Sequence, residues 1–145
     1  MEEELITLKT AKLAKEKGFN EPVYYHYSEN PVNNLEILYK PDDPRADQCW
    51  VLTNYNDNKF LFKKYSVPTQ NLLQRWLREV HFIHINVSPT DDNEGNNPVK
   101  WTYSYISRYD NAIHDDAFSM ITDELFDTYE QALEEGLYEG LQLIN

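Results

Sequence analysis

An α+β fold, with a mostly antiparallel sheet packed on one face by two or three helices, is predicted by three observations. Two stretches, 69–80 and 128–143, repeat apolar residues at the helical period of 3.6. Short runs rich in Val, Ile, Thr and Tyr alternate with Asn-, Asp- and Pro-bearing turns, as strands do. A chain of 145 residues that is 41% hydrophobic can bury a core without disulfide staples, so it is read as a single domain over 1–145.

The elements follow in order. A first helix is expected over 8–17, with Thr7 as N-cap, lysines in the later turns and Gly18 as the left-handed exit. After Pro22, residues 23–27 have strand composition, 28–34 read as a turn, and 35–39 return as a second strand. Pro41-Asp42-Asp43-Pro44 breaks the chain. Residues 49–55 and 59–65 are predicted to form a hairpin about Asn56-Asp57-Asn58. Over 69–80, Leu72, Leu73, Trp76, Leu77 and Val80 share one helical face, opposite Gln70, Gln74, Arg75, Arg78 and Glu79. A strand over 82–87 alternates Ile83, Ile85 and Val87 with His84 and Asn86. The loop 88–98 leads to a strand over 99–106 that sets Trp101, Tyr103 and Tyr105 on one face.

Residues 115–126 suit a helix through Phe118, Ile121 and Leu125, and a strand through Phe118, Met120 and Thr122. Periodicity cannot separate the two in so short a run. The last helix opens on a capping box, Thr128 with Gln131, and buries Ala132, Leu133, Gly136, Leu137, Gly140, Leu141 and Ile144. Two glycines inside a helix cost about 1 kcal/mol each relative to alanine. Their place on the buried stripe implies a groove into which a neighbour packs closely.

Charge and cysteine usage exclude several classes. The net charge is −12, and from Tyr109 to Asn145 there are ten acids and no Lys or Arg. Such a field argues against nucleic acid as a partner. Four lysines, Lys9, Lys12, Lys15 and Lys17, stand apart in the first helix. Cys49 is the single cysteine, so neither an internal disulfide nor a thiolate cluster can form, and a cytoplasmic setting is expected. The acidic residues 1–5 do not resemble a signal peptide, and no apolar run approaches the roughly 18 residues of a membrane span.

Three phrases carry a resemblance: Ala14 to Pro22 (AKEKGFNEP), Pro68 to His81 (PTQNLLQRWLREVH) and Tyr129 to Leu137 (YEQALEEGL). In that order they resemble a family of uncharacterised small proteins from Bacteroides-type bacteria and their phages and mobile elements. The resemblance implies a bacterial or phage cytosolic protein, often carried on mobile DNA. It implies no reaction.

The candidate chemistries each fall short of a complete set. His81 and His84 have H-x-x-H spacing, but one ends a helix and the other lies in a strand, so they are expected to diverge. His114-Asp115-Asp116 pairs an imidazole with carboxylates as HD-type phosphohydrolases do, without the further ligands these need. Asp91-Asp92-Asn93-Glu94-Gly95 would place Trp101 where a calcium loop needs a bidentate Glu. Asn54 to Asn58 puts Lys59 in place of the glycine. Cys49 beside Trp50 and Val51 reads as core. With four glycines there is no phosphate-cradling G-x-x-x-x-G-K loop.

No catalytic, cofactor-binding or metal-ligating residue is therefore assigned, and no cofactor is expected. The sequence points first to a non-catalytic binding or accessory protein. Its partner would be another protein, meeting an open sheet face through Tyr25 and Tyr27 or Trp101, Tyr103 and Tyr105, if these are not core. A membrane partner is not expected. The alternative is a counter-defence protein whose acids mimic DNA. Nothing in the sequence sets the oligomeric state.

Overall fold

The computed structural model describes residues 3–30, 32–33, 35–40, 52–60, 62–90, 99–107, 118–122 and 124–145. It is an α+β fold whose chain gathers into two compact units, Met1–Thr69 and Gln70–Asn145. Among the described residues the strand pairs are antiparallel, in line with the mostly antiparallel pairing the sequence predicts, but the strands divide between two sheets. Among the described residues no helix is long and apolar enough to cross a membrane.

In the first unit, α1 (Leu8–Glu16) starts at Thr7, whose hydroxyl accepts from the Thr10 amide, and ends before Gly18 at φ 90°. Thr10, Ala11 and Ala14 are its buried side chains, small enough to let the helix close on the sheet. Strands β1 (Tyr25–Glu29), β2 (Glu36–Tyr39) and β3 (Lys64–Val67) pair in the order β2-β1-β3. Ile6, Phe19, Val23, Tyr55, Tyr65 and Val67 complete the core. The turn between β1 and β2 is organised by asparagines: Asn30 accepts from the Val32 amide at 2.8 Å and Asn33 from the Leu35 amide at 3.2 Å. This turn lets β1 run on to Glu29, two residues beyond the expected strand end. Upstream, Val23 instead exchanges two backbone hydrogen bonds with Thr53, at 2.9 and 3.0 Å.

The expected hairpin about residues 56–58 does not form over its described part. Side chains take the hydrogen bonds that a ladder would have used. Asn54 accepts from the Asn56 amide at 3.0 Å, Asp57 from the Lys59 amide at 3.3 Å and Asn56 from the Ser66 amide at 2.9 Å. The Asn56 amide nitrogen also donates to the Phe19 carbonyl at 2.9 Å. Residues 54–60 are thereby wound into turns, and β3 begins only at Lys64, pairing with β1.

In the second unit, α2 (Gln70–His81) buries Leu73, Trp76 and Leu77. Val80, expected on the same stripe, is 52% exposed. The reason lies at Phe82, whose φ of 57° reverses the chain directly into β4 (Ile83–Pro89), so the apolar stripe ends one turn before the helix does. Strand β4 pairs with β5 (Trp101–Ser107), which pairs with β6 (Phe118–Ile121), in the order β4-β5-β6. Residues 118–121 are thus strand: pairing with β5 settles what local periodicity leaves open.

Helix α3 (Tyr129–Gln142) has the predicted capping box. The Thr128 hydroxyl accepts from the Gln131 amide at 3.1 Å, and the Gln131 side chain accepts from the Thr128 amide at 3.3 Å. Its buried residues are Ala132, Leu133, Gly136, Leu137, Gly140 and Leu141, against β4, β5 and α2. Gln70 fastens α2 to α3, donating to the Glu130 carbonyl at 3.0 Å and the Glu134 carboxylate at 3.1 Å.

Candidate functional site

The aromatic residues read from the sequence as contact candidates differ in burial. Tyr103 and Tyr105 are core, 1% and 5% exposed. Their register partners are Val87 and Ile85, and cross-strand partners share a face, so both point to the side that α3 covers. Burial and the adjacent Glu139 carboxylate raise the pKa of the Tyr103 hydroxyl. Trp101 is half-buried, with its ring edge-on to Tyr129 at 5.5 Å. Tyr25 and Tyr27 are half-buried in β1, opposite Val67 and Tyr65 of β3.

His81 and His84 fall in different elements. His81 ends α2 with its ring edge-on to Trp76 at 4.5 Å, and burial lowers its pKa. His84 lies in β4 opposite Ile106. His114, Asp115, Asp116, Cys49 and the segment 91–95 lie outside the described residues. Among the described residues no three His, Cys, Asp or Glu side chains gather as a metal site.

Among the described residues of the first unit His26 is the most deeply buried titratable group, 4% exposed between the stacked rings of Tyr39 at 5.1 Å and Tyr55 at 3.9 Å. Burial, aided by the Lys64 charge, pushes its pKa down to about 4. An unfolded imidazole takes up its proton near pH 6.5. Between pH 6.5 and 4 the unfolded chain therefore binds a proton that the folded chain refuses. Stability present above pH 6.5 is lost as the pH falls through this window, by no more than about 3 kcal/mol. Denaturation curves from pH 7.5 to 4 should show this extra loss in the parent and not in His26→Phe. Equal slopes for the two would mean that His26 titrates normally in the fold.

What the unit does assemble is a cavity of about 290 Å³ lined by Lys15, Asp57, Asn58, Phe60, Phe62, Lys63 and Lys64. Three parts of the chain build it. The last turn of α1 supplies Lys15, whose ammonium donates to the Lys64 carbonyl at 2.8 Å. The side-chain-wound turns supply Asp57 and Asn58, and the approach to β3 supplies the rest. The ammonium groups rest over ring faces: Lys64 lies 4.7 Å from the Phe60 ring centre, Lys63 5.6 Å and Lys15 5.3 Å from that of Tyr65. Burial and the neighbouring Lys63 charge lower the pKa of Lys15. By contrast, Lys12 forms an ion pair with Glu36 at 2.6 Å, which raises its own pKa and lowers that of Glu36.

Three lysines around one cavity are notable in a chain this acidic. Residues 1–69 hold nine of the thirteen Lys and Arg residues, whereas 70–145 hold four against fourteen acids. Clustered cations over ring faces can hold an anion, and the rings add apolar surface for whatever the anion carries. The sequence signal was present in Lys59, Phe60, Phe62, Lys63 and Lys64, where basic and aromatic residues interleave. Reading that stretch as one arm of a hairpin hid it. No family model matches the chain, and neither a curated protein nor a solved structure matches it.

Proposed function

We propose that the chain is a non-catalytic binding protein and that its site is the lysine-lined cavity of residues 1–69, which takes an anion. One observation carries this reading: Lys15, Lys63 and Lys64 converge on a concave site of about 290 Å³. The volume lies near the lower end of ligand sites, roughly 300–1,000 Å³, so a small anion or one anionic group of a larger partner fits. A cytoplasmic setting in a bacterium or phage-infected cell goes with it, supported by the single cysteine and the resemblance of three phrases.

The test is a titration of the full chain with inorganic pyrophosphate, followed by amide resonances. Shifts should concentrate at residues 57–64 and at Lys15, weaken with added salt, and vanish in Lys63→Gln, Lys64→Gln. Shifts spread evenly over the chain, or none at millimolar pyrophosphate, would refute an anion site.

A second reading, the acidic DNA mimic, is favoured by the charge of residues 70–145. Two α3 carboxylates count against it, since Glu134 accepts from Gln70 and Glu139 from the Tyr103 hydroxyl. If it holds, duplex DNA should displace the immobilised chain's partners, and those partners should also be retained on duplex DNA. Partners indifferent to DNA would dismiss it.

A further inference from the structure

We infer that the cavity takes a 5′-mononucleotide, with Lys15, Lys63 and Lys64 at its phosphate, Phe62 against its base, and Asp57 and Asn58 at the base edge. This rests on the anion-site reading and narrows it. An inorganic anion would need only the lysines. The cavity adds two phenylalanines and the polar side chains of Asp57 and Asn58, and these match the parts of a nucleotide that a phosphate lacks.

Phe60 is already engaged: the ammonium groups of Lys59 and Lys64 lie over its ring, and it stacks with Tyr55 at 5.8 Å. Phe62 differs. Its side chain is 44% exposed at the cavity wall, and among the described residues its ring meets no other ring and no cation. An exposed ring beside lysines has the two properties that bind a base and its phosphate together: a face for stacking and a field for the negative charge.

The opposite chemistry stands at Asp57 and Asn58. One Asp57 carboxylate oxygen accepts from the Lys59 amide at 3.3 Å, which fixes the side chain in its turn and leaves further lone pairs. Asn58 adds a donor and an acceptor in one amide. A carboxylate among lysines repels a bare polyanion, yet it accepts from the amino and imino groups of a base edge. The Lys15 ammonium gives one of its three donors to the Lys64 carbonyl and so stands fixed, with two donors left for a phosphate oxygen. No glycine loop is needed, because side-chain cations take its place. A volume of about 290 Å³ suits one base and its phosphate.

The experiment is calorimetric titration of the full chain with inorganic phosphate, four nucleosides, their 5′-monophosphates and free phosphotyrosine. At least one monophosphate should bind about ten-fold or more tightly than inorganic phosphate or its own nucleoside, as stacking of one base allows. Phe62→Ala should erase most of that ten-fold gain and leave phosphate binding unchanged. This half-exposed position should tolerate the truncation, and the melting temperature will show that it does. If phosphate binds as tightly as every monophosphate, or phosphotyrosine matches the best of them, the nucleotide inference is overturned and the anion site stands. If no probe binds, both fall.

Discussion

Trp76→Ala is expected to lower the free energy of unfolding by about 3–5 kcal/mol. Trp76 is 3% exposed at the middle of α2, between Leu73 and Leu77, and its ring carries His81 edge-on at 4.5 Å. The substitution removes an indole from a wall whose other members belong to packed helices and strands, so the void can collapse only in part. It also strips the ring from His81, whose Nε2 is buried with no hydrogen-bond partner among the described residues. A domain of this size is stable by about 5–15 kcal/mol, so the loss is a large share of the whole. Urea denaturation at pH 7 measures it, with Trp76→Phe as a milder comparison that keeps a ring for His81. A loss below about 1 kcal/mol would show that the side chain is not part of the core.

Gly136→Ala with Gly140→Ala should also destabilise, by up to about 2 kcal/mol net. Two effects oppose each other. Each alanine gains about 0.4–1 kcal/mol from helix propensity and a less free unfolded chain. Against this, a methyl at 136 would stand 2.8 Å from Ile85 Cγ2 and 3.2 Å from Tyr103 ring carbons. Ile85 is β-branched and lies in a strand, so its Cγ2 cannot swing aside without moving the backbone. At 140 the nearest atoms are the Cδ1 ends of Ile85 and Leu77, at 3.1 and 3.3 Å, which can rotate. Overpacking typically costs about 1–3 kcal/mol, and here it falls mostly on residue 136. Gly140→Ala alone should be close to neutral, and the double variant should melt lower than the parent. A double variant that melts higher would mean that the groove is looser than these distances imply.

What could be read from the sequence was local. The Thr7 and Thr128 caps, the Gly18 exit, the Trp76 stripe and the place of Gly136 and Gly140 on the buried stripe of α3 each depend on residues within a few turns of one another. What escaped depends on partners far along the chain. Residues 115–126 fit two periods, and only pairing with β5 selects the strand at 118–121. The division into two sheets follows from β3 choosing β1 and β4 choosing β5, which alternation does not encode. Val80 fits its helical stripe, yet the reversal at Phe82 leaves nothing for it to pack on. The sequence reads Asn56-Asp57-Asn58 as a hairpin turn and Asn54 as part of its first arm; instead the side chains of Asn54, Asn56 and Asp57 wind the stretch that builds the cavity. Tyr103 and Tyr105 were placed on one face correctly, and that face is the covered one.

The bridge between Leu5 and Thr69, with the Ile6 amide donating to the Pro68 carbonyl at 3.2 Å, has a consequence for how the first unit can be rearranged. It brings the two ends of a stretch more than sixty residues long side by side, so the unit is topologically a closed ring with one doorway. Folds with adjacent ends tolerate circular permutation and insertion into a host loop, because the point of entry carries no structural weight. A permutant of residues 5–69, joined across that doorway and reopened in the turn at Val32-Asn33, should keep all three strands in register. Inserted into a host loop through the same doorway, the ring should carry its cavity with it.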